Sequence, residues 1–88
     1  MTNCTYCGSE GLHQERVITF NRSEDQVENI VSIDQETGEV SYDEKNYKNP
    51  SPRRQGLTII FRCEFCAGLT LMKVWQHKGE TKLAFEKG

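Results

Sequence analysis

Apolar residues in this chain gather in short runs separated by polar, glycine-bearing stretches, a pattern that predicts strands rather than helices. Glu15-Arg-Val-Ile-Thr-Phe20 is rich in β-branched and aromatic side chains and reads as a strand. Val27–Ile33 and Glu39–Tyr42 flank Asp34-Gln-Glu-Thr-Gly38, whose glycine suits a turn; together they predict a peripheral hairpin with few large apolar residues. Leu57-Thr-Ile-Ile-Phe-Arg62 predicts a further strand. Leu69–Gln76 and Thr81–Phe85, joined through His77-Lys78-Gly79-Glu80, predict a second hairpin. A two-residue turn at Lys78-Gly79 sets Val74 opposite Leu83 and Met72 opposite Phe85, with Trp75 beside Lys82 on the other, outward face. A three-residue turn with Gly79 in the left-handed region pairs Leu71 with Phe85 instead and turns Trp75 inward.

Nowhere do apolar periodicity, caps and glycines combine to predict a helix. No apolar run approaches the roughly 18–20 residues that span a bilayer, so no membrane partner is expected. Residues 21–26 are turn-like, and residues 43–56, with Pro50, Pro52 and several basic side chains, read as an exposed loop. The chain is thus expected to be a single domain over residues 1–88 with a polar insert at about 21–56.

Composition sharpens the picture. Only 35% of the 88 residues are hydrophobic against 27% charged, and ordering each residue costs roughly 1–2 kcal/mol of backbone entropy. A chain this short and polar generally needs a staple, and four cysteines are available. The N-terminus has neither a basic nor an apolar leader region, so a cytoplasmic, reducing setting is expected, in which thiols serve as metal ligands more readily than as disulfides.

The net charge of -2 conceals an asymmetry. Residues 1–44 hold ten acidic and two basic side chains, and residues 45–88 hold three acidic and nine basic. The overall balance argues against a generic nucleic-acid binder, while the C-terminal half alone leaves that option open.

Cys4-Thr-Tyr-Cys7 and Cys63-Glu-Phe-Cys66 carry the chemistry. Two residues between cysteines let a tight turn aim both sulfurs at one cation. Two such turns complete a tetrahedral four-sulfur shell, which suits Zn²⁺ because its filled d-shell imposes no other geometry. Gly8 directly follows Cys7, whereas Ala67 stands between Cys66 and Gly68. The arrangement resembles the zinc-ribbon family, in which two CxxC knuckles share one zinc; Cys4, Cys7, Cys63 and Cys66 match the four ligand positions. The resemblance covers about residues 3–20 and 57–85 and implies a small, metal-stapled, antiparallel all-β fold with an inserted hairpin and loop. The 55 residues between Cys7 and Cys63 exceed the ~15–20 familiar for paired CxxC sites, but loop-closure entropy grows only logarithmically with length.

Rival readings of the cysteines are weaker. Redox-active CxxC pairs want a helix N-terminus to depress a thiol pKa, and nothing helical follows either pair. Disulfides sit poorly with the expected compartment. Rubredoxin-like iron fits the geometry of two knuckles, although Cys66 lacks the immediate glycine. It leaves an Fe–S₄ electron carrier as the alternative function.

A shell filled by four thiolates has no open position for water or substrate, so the metal is expected to be structural and the protein no enzyme. No nucleophile–base set or phosphate-cradling glycine loop is apparent. His13 and His77 lack partner spacing and read as surface histidines. Arg53, Arg54, Arg62, Lys73, Lys78 and Lys82, with Trp75 outward, make a candidate cationic–aromatic partner surface able to stack a base and hold phosphates. The expected function is a non-enzymatic binding module. Resemblance to zinc ribbons implies partners such as transcription or translation machinery, with protein favoured over nucleic acid because of the overall acidity.

Overall fold

The computed structural model describes residues 2–88, and its β-branched and aromatic runs form strands as their composition dictates. They are β1 (Leu12–Asn21), β2 (Asn29–Asp34), β3 (Val40–Tyr42), β4 (Gly56–Cys63), β5 (Leu69–His77) and β6 (Glu80–Lys87). All pair antiparallel in one open sheet of order β3-β2-β1-β4-β5-β6. Two three-stranded meanders are therefore joined edge to edge through β1 and β4. The all-β expectation holds, and no helix occurs among the described residues.

The β1–β4 pairing matters most for the cysteines. It sets Leu12 opposite Cys63, so the segment leading into β1 lies beside the end of β4 despite the long separation in sequence. A bulge at Glu15 interrupts this ladder between Gln14 and Arg16. The extra residue is put to use: its carbonyl accepts the Gln35 N–H at 2.9 Å, and its carboxylate accepts Arg62 Nε at 2.8 Å.

The β5–β6 hairpin takes the two-residue turn. Val74 pairs with Leu83, Met72 with Phe85, Trp75 with Lys82 and His77 with Glu80. Lys78 and Gly79 both adopt positive φ (50° and 78°), the conformation that matches the right-handed twist of the flanking strands.

Side chains of paired residues share a face, and alternate residues switch faces. One face holds the buried core of Ile18, Phe20, Ile60 and Leu71, with Ile30, Tyr47 and Leu69 packed against it. Trp75 belongs to this face through its pairing with Gly56, and it is half-buried rather than displayed outward. The inward–outward assignment expected for the two-residue turn is thus reversed: the Val74, Leu83, Met72 and Phe85 face is the open one.

Residues 43–55 explain the reversal: the segment is the irregular, largely exposed loop expected, but it also packs onto the sheet. Ser51 is buried; its hydroxyl donates to the Gln76 carbonyl at 2.9 Å and accepts the Arg54 N–H at 2.9 Å. Asn49 and Pro50 lie so close over Gly56 that a Cβ there would come within 2.5 Å of Asn49 Oδ1. Arg22 Nε donates to the Arg54 carbonyl at 2.9 Å and ties the segment to the end of β1. The loop is a cover for the core face. The inserted β2–β3 hairpin is likewise less peripheral than expected: β3 forms the sheet edge, but Ile30 packs on the core and Ser32 is fully buried.

The open face is apolar across its width. The first meander contributes Val17, Val31, Ile33, Val40 and Tyr42, and the second Leu57, Ile59, Phe61, Met72, Val74, Leu83 and Phe85. None of these side chains is buried. Among the described residues, the only charged strand residue whose register places it on this face is Lys87, at the margin, where its ammonium stands 5.1 Å from the centre of the Tyr6 ring.

Candidate metal centre

Each CxxC segment folds as a tight turn closed by its own backbone. Gly8 N–H donates to the Cys4 carbonyl (2.9 Å) and Cys4 N–H to the Ser9 carbonyl (2.7 Å). In the second turn, Ala67 N–H donates to the Cys63 carbonyl and Cys63 N–H to the Gly68 carbonyl, both at 3.0 Å. The two turns repeat one another bond for bond. The residue after each second cysteine is left-handed, Gly8 at φ 79° and Ala67 at φ 59°, so an L-residue occupies in one turn the position that glycine fills in the other.

The turns place their sulfurs together. Cys4 Sγ lies 3.6 Å from Cys66 Sγ, Cys7 Sγ lies 3.6 Å from Cys63 Sγ, and all four fall within 4.8 Å of one another. A tetrahedron of sulfurs at about 2.3 Å from one ion has edges of roughly 3.8 Å. A disulfide requires about 2.05 Å, so the cysteines are free thiols at metal-shell spacing. The four-cysteine group can hold one metal ion.

The electrostatics repeat the symmetry. N–H groups of Cys7 and Tyr6 point at Cys4 Sγ and hold its pKa down to about 6 against the effect of burial. Cys66 and Phe65 N–H groups likewise lower Cys63. The Ser9 N–H pulls Cys7 in the same direction, but hydrogen bonding to the Cys63 thiol, burial and the other thiols outweigh it and push Cys7 up to about 12. Cys66, despite the Gly68 N–H, is raised by burial and by Cys4. The first cysteine of each turn is therefore buried with its thiolate form favoured, and the second is exposed with its thiol form favoured. A cation bound among the sulfurs would favour the deprotonated form of all four.

Around the sulfurs, the turns interlock through pairs that spacing alone does not reveal. The Tyr6 ring lies against Gly68, where a Cβ would meet Cδ2 at 2.7 Å, and Phe65 lies against Gly11, where it would meet Cε2 at 2.8 Å. The Tyr6 hydroxyl donates to the Gly88 carbonyl at 2.6 Å. Thr5 N–H donates to Thr70 Oγ1 at 3.0 Å and seats the first turn on the open face beside β5. The sequence signal for this interlock is the aromatic residue immediately before the second cysteine in both motifs.

The other candidate residues do not converge on the sulfurs. Neither histidine joins the cluster; His13 Nε2 bonds Glu64 Oε2 at 2.7 Å. The cationic surface is largely engaged with carboxylates. Arg53 pairs with Asp25 (2.6 Å) and Glu24, Arg54 with Glu24 (3.0 Å), Arg62 with Glu15, Lys73 with Glu86 (2.7 Å) and Lys82 with Glu80 (2.7 Å). Lys78 occupies the β5–β6 turn, beside His77 in a hollow that Glu24, Arg53 and Arg54 also line. Glu15, Glu24 and Asp25 come from the acidic half of the chain and Arg62, Arg54 and Arg53 from the basic half, so the charge asymmetry is met within the molecule. Comparison with models of protein families, with curated proteins and with solved structures finds no match.

Proposed function

We propose that this chain is a non-enzymatic binding module of zinc-ribbon type, in which one structural Zn²⁺ on Cys4, Cys7, Cys63 and Cys66 holds the sheet together for a protein partner. The observation that carries the reading is the four-sulfur cluster with backbone N–H groups already aimed at each sulfur. Thiolates are soft donors that suit zinc. A shell they complete leaves no position for water or substrate, which supports a structural role. Ion pairing of the arginines supports a protein partner over nucleic acid, because phosphate binding would have to displace Glu15, Glu24 and Asp25.

Metal analysis of natively purified protein, followed by chelation, tests the reading. The expected result is one zinc per chain in a colourless protein. Its removal, or Cys63→Ser, should collapse amide dispersion, since structural zinc supplies roughly 10–16 kcal/mol in small zinc peptides. A red, iron-loaded protein would instead identify an electron carrier, and native-like dispersion after zinc removal would refute the structural role.

A further inference from the structure

The open face of the sheet is the largest feature of the molecule that the metal centre leaves unexplained. It runs across all six strands, and Lys87 at its margin is its only charged strand residue among the described residues. The core on the opposite face is thin, with Ile18, Phe20, Ile60 and Leu71 as its buried cluster. A sheet with an apolar face is stable when a second layer covers it; residues 43–55 cover the other face, while the open face carries the Cys4–Cys7 turn at one end, over Thr70.

We propose that the second layer is a second copy of this chain, packed face to face in a twofold dimer. This inference rests on the binding-module reading above and names its partner. Six strands at about 4.8 Å, of three to ten residues each at about 3.3 Å per residue, make a face of roughly 25 by 20 Å. Two copies would cover about 1,000 Å² of planar area and more of accessible surface, the scale of a specific interface. Self-apposition of a face with almost no charge meets no like-charge repulsion, whereas a charged partner would find no complement there.

The relief of the face is complementary to itself. At one end the Cys4–Cys7 turn rises over Thr70 beside β4, β5 and β6. At the other end, on those same strands and β1, lies a hollow lined by Thr19, Leu57, Val74 and Thr81 and flanked by Asn21, Gln55 and Gln76. A twofold axis lying between the sheets and across the strands keeps each strand's lateral position and exchanges its ends. It therefore sets each turn over the partner copy's hollow. Sheets packed in this way form a sandwich about 10 Å deep, and the contact closes on itself without forming fibres.

Sedimentation equilibrium of the zinc-loaded protein, with metal content measured on the same sample, tests the proposal. Wild type is expected to be dimeric at micromolar concentration. The double variant Leu83→Glu/Phe85→Glu changes side chains 56% and 44% exposed in the single chain, so it should keep the fold, one zinc per chain and a dispersed amide spectrum. Its dissociation constant should rise roughly 100-fold or more, because carboxylates would be buried against an apolar partner. Val27→Glu, at a position 89% exposed in the β1–β2 connection and outside the paired strands, should leave the dimer unchanged. A zinc-loaded wild type that stays monomeric overturns the dimer while leaving the metal reading intact, and so does a monomer that adsorbs to phosphatidylcholine vesicles. A dimer that persists in the double variant also overturns it, by placing the contact elsewhere. A chain that takes up no zinc fails the metal reading instead.

Discussion

Tyr6 lies against Gly68, sixty-two positions on, so closely that a Cβ on the glycine would come within 2.7 Å of ring atom Cδ2 and 3.1 Å of Cγ. The ring has little freedom to withdraw, because its hydroxyl is bonded to Gly88 and Lys87 stands over it. Phe65 touches Gly11 in the reciprocal way, but only through its outer Cε2, and the side chain is 71% exposed. Gly68→Ala should therefore cost about 1–3 kcal/mol through overpacking and weaken zinc retention against a competing chelator. Gly11→Ala should cost less, since Phe65 can swing away and the half-exposed Glu64 side chain, whose Cγ a Cβ would meet at 3.0 Å, can shift with it. Equal losses in the two variants, measured by thermal unfolding of zinc-loaded protein, would show that the Tyr6 contact is not the tighter one.

The left-handed position after each second cysteine makes a separate prediction. Ala67 holds φ 59° where its counterpart is Gly8, and an L-residue there costs roughly 1–2 kcal/mol. Ala67→Gly should recover part of this, offset by the greater freedom of glycine in the unfolded chain, for a net gain near 0.5–1 kcal/mol. Gly8→Ala should lose about 1 kcal/mol, although a Cβ there meets nothing within 4 Å. Opposite signs of the shift in unfolding midpoint are the expected signature, and a destabilised Ala67→Gly would contradict it.

How much of this was legible beforehand follows from the range over which each feature is decided. The strands around Val17–Phe20 and Leu57–Phe61 are local matters of β-branched and aromatic content, and they form where the pattern predicts. The four cysteines announce themselves by spacing, because the donor geometry is local to each turn. The turn at Lys78 was ambiguous because lysine disfavours φ > 0, yet pairing along β5 and β6 from Thr70–Lys87 to His77–Glu80 prevails over that local cost. The choice of core face was not legible at all. Both faces carry apolar residues, and the decision is made by Tyr47, Asn49 and Ser51 from a segment without periodicity, which reach the sheet only because Gly56 leaves room. The Tyr6–Gly68 contact is hidden for the same reason, since it exists only once β1 and β4 are paired.

Asp34 gives the β2–β3 hairpin a pH dependence with a definite sign. Its Oδ1 accepts the N–H groups of Thr37 (3.1 Å) and Glu36 (2.9 Å), and with the Arg16 guanidinium 3.8 Å from Oδ2 these hold its pKa below the ordinary 3.8. A carboxyl depressed by folding stabilises the folded state fully above its unfolded value. That contribution disappears as pH falls through the lower folded value. The hairpin should therefore loosen only in acid below about 3.8. A carboxyl ¹³C titration should place the Asp34 midpoint under that value, and Asp34→Asn should flatten the acid limb of the stability curve. A midpoint at or above 3.8 would remove the turn bonds from the account.

Thr58 is a defect in the covered face that can be repaired. It is 1% exposed, between Ile18 on β1 and Lys73 on β5, and its hydroxyl oxygen is buried without a hydrogen-bond partner. Ser32, on the other side of Ile18, differs in accepting Arg16 Nη1 at 2.9 Å. An unsatisfied buried hydroxyl forfeits its hydration without compensation, a penalty of about 1–3 kcal/mol. Thr58→Val keeps the shape and removes the polar atom, so it should stabilise by about 1 kcal/mol and raise Tm by roughly 4–8 °C in a domain of this size. Thr58→Ser keeps the hydroxyl and deletes the methyl, and should destabilise by about 1 kcal/mol as other buried methyl deletions do. If Thr58→Val melts at or below wild type, the hydroxyl must be hydrogen-bonded in solution, and the polar side chain at the centre of the sheet is a satisfied member of the core.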